Sequence, residues 1–202
     1  MREKEIVENY IQISKEEIEN FMDKIDSDAL TKAKDMILHA EANGNRVHIS
    51  GIGKPSHVAQ YVASLLSSTG TPTYVLDASE AIHGSSGQVV ANDVVIAISN
   101  SGETDELKAT VQTLKQNGAL LIAVTGNVDS WLANTCDVCL FAGVQREGDT
   151  LNKPPRSSII AEILVLQSLS ILLQEHKQLT SSEYGKWHPG GSLGKQIREE
   201  NK

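Results

Sequence analysis

Residues 94–104 read Val94-Val95-Ile96-Ala97-Ile98-Ser99-Asn100-Ser101-Gly102-Glu103-Thr104, an apolar run followed at once by a polar turn. Four of the five apolar residues are β-branched, which is typical of a strand buried on both faces of a parallel sheet. The turn leads into a stretch with helical periodicity that extends to about Asn117. This order of strand, turn and helix predicts one βα unit of an α/β domain.

The same order recurs on both sides of this unit. Four further short apolar runs predict strands: Val47–Ile49, Tyr74–Leu76, Leu120–Val124 and Val138–Phe141. The segments between and after them predict helices: His57–Ser68, Thr104–Asn117, Ser130–Asn134 and Ser157–Glu175. Because strands and helices alternate, we predict parallel βαβ units in a three-layer αβα sandwich.

The first 42 residues have a different pattern. From Glu3 to Ala42, apolar residues recur at steps of three and four with charges between them, which predicts two amphipathic helices. We expect Ser27 or Asp28 to cap the second helix. The chain is predicted to be a single domain, with N-terminal helices over 1–43, an α/β core over 46–176 and a tail over 177–202.

Composition narrows the class of protein further. The net charge of -8 disfavours a surface for nucleic acid or an anionic membrane. No uninterrupted apolar stretch reaches about 20 residues, and the charged start lacks the apolar region of a signal peptide, so we expect a cytoplasmic protein. Cys136 and Cys139 lie along a predicted strand with no second ligand pair after them, and we expect inert, reduced thiols.

The Ser99–Thr104 turn is a candidate anion site. It places three hydroxyl side chains and several backbone N–H groups at the start of a helix, where the helix dipole favours a phosphate. Gly102 would allow a tight turn. An ordinary Ser/Thr helix cap explains the same residues equally well.

A second glycine-rich turn, Gly51-Ile52-Gly53-Lys54, follows the first strand. Its spacing matches neither the dinucleotide-binding fingerprint nor the P-loop. In an open α/β sheet, ligands bind beyond the carboxyl ends of the strands, so the two turns could flank one crevice. Lys54 would then neutralise a phosphate or an oxyanion; the alternative is a solvated surface lysine.

Three other turns carry ionisable groups: His83, Glu147 and His188. On local grounds, a histidine or glutamate in such a turn is more often solvated than catalytic. Arg156-Ser157-Ser158, at the start of the long helix, is another anion site or simply an N-cap. The histidines at 39, 48, 57 and 176 lack metal-ligand spacing and are predicted to be structural.

Taken together, these motifs resemble the sugar isomerase (SIS) domain family, and within it the arabinose-5-phosphate isomerase branch. The resemblance runs along nearly the entire chain through five segments: Gly51–Lys54, Ser68–Pro72, Glu80–Gly84, Ile98–Glu103 and His188–Gly194. The serine turn indicates only the broad family. The last segment, His-Pro-Gly-Gly-Ser-Leu-Gly, and Ala81-Ile82-His83-Gly84 point to this branch.

The resemblance implies a fold and a set of site residues. It implies a five-stranded, flavodoxin-like parallel sheet and a homotetramer or dimer in which His188 comes from an adjacent subunit. The implied catalytic residues are Lys54, Glu106, Glu147, His188 and His83. The implied phosphate-binding residues are Gly53, Ser99, Asn100, Ser101, Gly102, Thr104, Ser157 and Ser158. No metal or other cofactor is implied.

The sequence also departs from the family pattern. Ser85 stands where an aspartate commonly follows His-Gly, and the segment from Gly148 to Arg156 differs from the usual one. Both positions are expected near the sugar. Full-length members usually carry two regulatory CBS modules after the tail, and we expect that control to be absent here.

The expected reaction is aldose–ketose isomerisation of a sugar phosphate, with arabinose 5-phosphate and ribulose 5-phosphate as the first choice. Isomerases of hexulose or heptulose phosphates remain rivals. From a different class comes a non-catalytic sugar-phosphate sensor, although the acidic N-terminal helices lack a basic recognition helix.

Overall fold

The structure, a computed structural model, describes residues 2–200. The predicted domain limits at 1 and 202 therefore lie outside the described residues. Nine α-helices and five strands are present in this part of the chain. The helices are α1 Arg2–Met22, α2 Ser27–Ala42, α3 Lys54–Ser68, α4 Ala78–Ala81, α5 Asp105–Gln116, α6 Trp131–Thr135, α7 Ser157–Lys177, α8 Ser181–Trp187 and α9 Gly191–Glu200. The strands are β1 Val47–Gly51, β2 Thr73–Val75, β3 Val94–Ile98, β4 Leu120–Thr125 and β5 Val138–Phe141, and a 3₁₀ turn covers Ser85–Gln88.

The five strands form one parallel sheet in the order β2-β1-β3-β4-β5. This confirms the predicted α/β class and the flavodoxin-like order. The order reverses between β1 and β3, which pair directly with Gly51 opposite Ile98. A ligand crevice is expected at such a reversal, beyond the carboxyl ends of the two strands.

Two apolar clusters cover the faces of the sheet. One joins the sheet to α2, α3 and α7 and includes Val47, Ile49 and Ile96. The other joins the opposite face to α4, α5 and α6 through Val95 and Ala97. Alternate residues of β3 thus pack into the clusters on opposite faces of the sheet. This explains why the sequence of β3 is continuously apolar.

The long helix α7 has unusual composition. Its mean hydropathy of 1.6 over 18 residues and its length of 21 residues would suffice to cross a membrane, but half of that window is buried within the domain. Buried residues such as Ala161, Val165 and Leu169 belong to the main core cluster. Its apolar character is therefore accounted for by packing between α2, α3 and the sheet.

The α2 cap differs from the prediction. Asp26, not Ser27 or Asp28, is the N-cap, and its Oδ1 accepts hydrogen bonds from the N–H groups of Asp28 (2.8 Å) and Ala29 (3.1 Å). The prediction was one residue late because three residues with capping side chains stand in succession.

The two cysteines form no disulfide bond. Cys136 follows α6 and Cys139 lies in β5. Burial, assisted by the nearby Asp137 carboxylate, raises the pKa of Cys136 to about 12, and burial also raises the pKa of Cys139. Both are therefore poor nucleophiles at neutral pH.

Candidate active site

The turns after β1 and β3 lie side by side at the carboxyl edge of the sheet, because the two strands are neighbours. The Gly51–Lys54 and Ser99–Thr104 turns, which were predicted to flank one crevice, are thus neighbours in the fold. Glu147 follows β5 and so belongs to a loop of the same edge, whereas His83 lies in the crossover from β2 to β3, between α4 and the 3₁₀ turn.

The serine turn is held by its own hydroxyl groups. Ser99 is buried, and its Oγ lies 3.1 Å from Thr104 Oγ1 and accepts a hydrogen bond from the Gly102 N–H (3.1 Å). The Glu103 N–H donates to Ser101 Oγ (3.2 Å). Gly102 has φ of +67°, and a Cβ there would collide with the Ser130 hydroxyl, so glycine is required.

Thr104 occupies the N-cap position of α5 but makes no side-chain capping bond. Its hydroxyl lies against Ser99 instead. The helix-cap interpretation of this turn is therefore the weaker one, because the start of α5 keeps N–H groups that an anion can bind.

Lys54 begins α3 directly after Gly53, whose φ of +67° reverses the chain at the carboxyl end of β1. The Lys54 side chain is exposed and forms no ion pair with any residue in the described range 2–200. It lines a groove of about 330 Å³ together with Pro155, Ile159 and Ile163. The start of α3 and the start of α7 therefore border the same groove.

Glu147 is buried at the N-terminus of α7. Its Oε2 accepts hydrogen bonds from the backbone N–H groups of Arg156 (2.6 Å) and Ser158 (3.1 Å). Its own N–H donates to Asn152 Oδ1 (2.6 Å). Glu147 thus acts as the cap that Arg156, the formal N-cap residue, does not supply. The backbone donors orient one carboxylate oxygen and stabilise its charge.

The Arg156 side chain forms an ion pair with Asp149, in which Arg156 Nη1 lies 2.5 Å from Asp149 Oδ2. The segment that begins at Arg156 was predicted to be an anion site or an N-cap, and Arg156 does occupy the N-cap position of α7, although its side chain makes no capping hydrogen bond. The hydroxyls of Ser157 and Ser158 are buried and make no hydrogen bond to other described residues. The unusual segment Gly148–Arg156 therefore serves to close the loop between Glu147 and α7.

Glu106 and His83 are exposed. Glu106 lies in the first turn of α5, and His83 follows the short helix α4. Within residues 2–200, no hydrogen bond or ion pair joins Lys54, Glu106, His83 or Glu147 to one another. Lys54, Glu106 and Glu147 lie on segments at the carboxyl edge of the sheet, without direct contacts among them.

His188 lies elsewhere in the chain's fold. The neighbouring Trp187 approaches Gly70, where an added Cβ would lie 3.2 Å from the indole, and Gly70 precedes β2 at the amino edge of the sheet. The His188 ring stacks on Tyr184 at 4.0 Å, and its Nδ1 lies 2.8 Å from the Tyr184 carbonyl oxygen. Within one chain, His188 thus lies toward the amino edge of the sheet, whereas Glu147 follows β5 at the carboxyl edge.

Glu162 is the site residue that the sequence interpretation missed. It is fully buried in α7, one turn after Ser158, and both carboxyl oxygens lack hydrogen-bond partners among the described residues. The signal was present, because Glu162 is the only charged residue between 157 and 173.

The other histidines form no metal site. Within residues 2–200, no group of three or more histidine, cysteine, aspartate or glutamate side chains is placed to hold a metal ion. His48 is buried beside Asp93 at 3.4 Å, and burial lowers its pKa despite that carboxylate. This is consistent with the structural role predicted for His48.

The fold and site define a class, that of α/β domains with a serine-rich turn at the sheet's reversal point. The SIS domain family model matches residues 42–172, and the chain belongs to this family. It is 36% identical over 187 residues to arabinose 5-phosphate isomerase KdsD of Pseudomonas aeruginosa, covering 93% of this chain and 56% of that protein. The chain thus spans about half the length of the curated relatives it matches.

Solved structures agree with this family. E. coli CFT073 c3406 in complex with arabinose 5-phosphate is 34% identical, with a TM-score of 0.76 over 92% of this chain and 95% of that one. The Vibrio vulnificus NanR protein complexed with ManNAc-6P has a TM-score of 0.75 over 90% of this chain and 65% of that one. At 19% identity, the NanR likeness concerns the fold alone.

Proposed function

We propose that this SIS domain is an aldose–ketose isomerase of sugar phosphates and that its substrates are arabinose 5-phosphate and ribulose 5-phosphate. The observation that carries the proposal is the start of α5, which has no side-chain cap and follows the strand next to the one that leads to exposed Lys54. The relatives that are arabinose 5-phosphate isomerases, and the related structure in complex with arabinose 5-phosphate, support the choice of sugar.

The phosphate would bind at the serine turn. Ser101 and Thr104 supply hydroxyls, Asn100 and Gly102 supply polar backbone, and Gly53 allows close approach from the other side of the crevice. Ser157 and Ser158 would contribute from the start of α7. A helix N-terminus with hydroxyl groups stabilises a phosphate without a metal ion, and the proposal includes no cofactor.

The reaction requires removal of the proton at C2 of the open-chain aldose and its return to C1 through an enediol(ate). We assign Glu147 as the base that carries this proton and His188 of an adjacent subunit as the acid that protonates the sugar oxygen. The opposite assignment of these two residues uses the same groups. A positioned acid–base pair contributes about 10²–10⁴-fold to such a rate.

The remaining residues have supporting roles in this proposal. Lys54 stabilises the negative charge of the enediolate, and Glu106 orients or tunes that ammonium group. His83 is a second histidine of the site, on the β2 side of the crevice. The transfer of a proton within one molecule leaves the composition of the sugar phosphate unchanged, so no other reactant is needed.

The proposal also covers the oligomeric state and the cellular location of the protein. A homotetramer or dimer would bring His188 of one chain to the site of another, which its position at the amino edge supports. We propose a cytoplasmic location, with a sugar phosphate rather than nucleic acid or membrane as the partner.

Two other functions use the same crevice. An isomerase of hexulose or heptulose phosphates would differ in the contacts made by the segment around Ser85 and Gly148–Arg156. A non-catalytic sensor of sugar phosphates would bind its ligand at the same turns without converting it. Conversion of a bound sugar distinguishes either isomerase from the sensor.

The test is a screen of pentose, hexose and heptose phosphates in D₂O, followed by ¹H NMR. An isomerase will convert its substrate and incorporate deuterium beside the carbonyl, and we expect arabinose 5-phosphate to react fastest. Saturable binding without conversion would establish the sensor. If E147Q and H188A both fold and retain near-normal turnover, the assigned mechanism is wrong.

A further inference from the structure

The chain contains a buried carboxyl group that the proposed mechanism does not use. Glu162 has no exposed surface, and neither of its oxygens accepts or donates a hydrogen bond to another described residue. An ionised carboxylate without partners is strongly disfavoured in such surroundings. Burial without a partner therefore favours the protonated form of this side chain.

The position of Glu162 relates it to Glu147. Ser158 and Glu162 are four residues apart on α7 and therefore lie on the same face of the helix. Side chains of a helix lean toward its N-terminus, which directs the Glu162 carboxyl back toward the first turn. The Ser158 N–H in that turn is one of the two groups that hold Glu147 Oε2.

The two carboxyl groups have opposite environments. Glu147 receives two backbone N–H donors at a helix N-terminus. Glu162 receives none and is surrounded by the core residues of α7. Pairs of acids whose surroundings differ in this way take different protonation states at the same pH.

We propose that Glu162 is a positioning residue of the active site, a neutral acid that keeps a single negative charge, that of Glu147, at the start of α7. This inference rests on the proposed isomerase function. A second negative charge behind Glu147 would oppose binding of the sugar phosphate and formation of the enediolate. The proton on Glu162 removes that repulsion.

Electrostatics supports this arrangement. Burial, reinforced by the charge of Glu147, raises the pKa of Glu162 to about 8. Titratable groups on the elements packed against α7 include Lys54 and His57 of α3, which border the groove along Ile159 and Ile163. On α1, Glu17 is paired with Arg146. The Glu147 carboxylate is the charge that acts on Glu162 most directly.

The first experiment is independent of activity. In protein with ¹³C-labelled glutamate carboxyl groups, NMR should show one resonance that remains protonated at pH 7 and is missing in E162Q. In E147Q that resonance should titrate at lower pH, because the neighbouring charge has been removed. Titration in the ordinary glutamate range, or no response to E147Q, would overturn the inference.

The second experiment measures the pH profile of kcat for the wild type, E162Q, E162L and the control E175Q. Glu175 is an exposed carboxylate at the far end of the same helix. Wild type and E175Q should lose activity as pH rises through about 8, while E162Q should lack this alkaline decline. E162Q should lower kcat at pH 7 by less than about threefold and E162L by about tenfold, with KM changed less.

An alkaline decline in E162Q equal to that of the wild type would overturn the positioning role. Absence of turnover with every sugar phosphate, combined with a coupled titration of the two carboxyl groups, would overturn the proposed function but support the pairing of Glu147 with Glu162. The two failures are thus distinguishable.

Discussion

At the scale of single residues, the serine turn requires glycine at position 102, because no side chain fits there. Its φ is positive, and the space that a Cβ would take is filled by Ser130 and Thr125. Its carbonyl oxygen also accepts a hydrogen bond from the Leu132 N–H at 3.1 Å, which ties the turn to α6. The turn is therefore packed on two sides and cannot widen to admit a larger residue.

We expect G102A to be more disruptive than the matched variant G44A. Gly44 has a similar φ of +75°, but a Cβ there meets nothing within 4 Å. G44A should therefore lower the free energy of unfolding by about 1 kcal/mol, the effect of the backbone conformation alone. G102A adds a collision of about 1–3 kcal/mol and should also raise KM for a sugar phosphate. Urea unfolding and steady-state kinetics measure both effects, and equal destabilisation by the two variants would contradict the packing argument.

Glu162 gives a second prediction, on the pH dependence of stability. Its pKa is raised in the folded state to about 8, whereas the unfolded value is near 4.5. Between these values the folded protein holds a proton that the unfolded chain has released, so this group's stabilising contribution is complete below about pH 4.5 and falls as pH rises toward 8. E162Q lacks this loss, and its stability relative to the wild type should increase from about pH 5 to about pH 8. Urea unfolding at several pH values measures the difference, and a pH-independent difference would show that Glu162 does not titrate in this range.

At the scale of elements, the loop that bears Glu147 is fixed to α1. Glu17 is buried, and its oxygens accept hydrogen bonds from the Gln145 N–H (2.8 Å) and from Arg146 Nε (2.6 Å). Burial opposes ionisation, but these hydrogen bonds outweigh it, so the pKa of Glu17 lies below its usual value. The N-terminal helix thus holds the two residues that precede Glu147.

We expect E17Q to impair both stability and turnover. Replacing the buried carboxylate weakens its bond to Arg146 and should lower the free energy of unfolding by about 2 kcal/mol. Because residues 145 and 146 lead directly to Glu147, kcat should fall as well. Glu16 accepts a hydrogen bond from Nη2 of the same arginine at 2.8 Å, but its side chain is only half-buried, and E16Q is the matched control with a smaller effect on both quantities. If E16Q and E17Q have equal effects, α1 does not position the loop.

The elements also show what the sequence could predict. Strands β3 and β5 match their predicted limits, because each is an apolar run ended by residues that change the pattern. The tail was predicted without helices, yet α8 and α9 are present. The signal for α8 was a capping box, Thr180 with Glu183, which the structure contains. The sequence gives no local indication of α9, because this helix begins at Gly191, directly after a proline and a glycine.

At the scale of the whole molecule, the sequence predicted which loops form the site better than it predicted their contacts. The serine turn and the Lys54 turn were expected to flank one crevice because ligands of open α/β sheets bind beyond the carboxyl ends of the strands, and the structure shows that the two turns follow neighbouring strands. The bonds from Glu147 to the start of α7 join residues nine and eleven positions apart through a nonrepetitive loop, and no periodic pattern indicates them. In the sequence, the only sign of the buried Glu162 is that a single charged residue interrupts an apolar helix.

One feature of the proposed enzyme concerns the whole molecule: His188 lies far from the other residues of the proposed site. The capped and stacked arrangement of α8 holds His188 near the amino edge of the sheet, away from Glu147. In the proposed enzyme, one chain would therefore give Lys54 and Glu147 to the site, and an adjacent chain would give His188. The isolated chain would bind a sugar phosphate at the serine turn without a complete set of acid and base groups.

Mixed oligomers test this arrangement. E147Q and H188A, each inactive alone, should regain about a quarter of wild-type activity when co-expressed in equal amounts, because about a quarter of randomly formed sites then combine two intact halves. If Glu147 and His188 acted within one chain, every site would carry one defect and no activity would return. As the control, E147Q mixed with K54A should stay inactive, because both residues belong to the same half. Recovery in the control, or its absence in the first mixture despite subunit exchange shown by differently tagged chains, would refute a site shared between subunits.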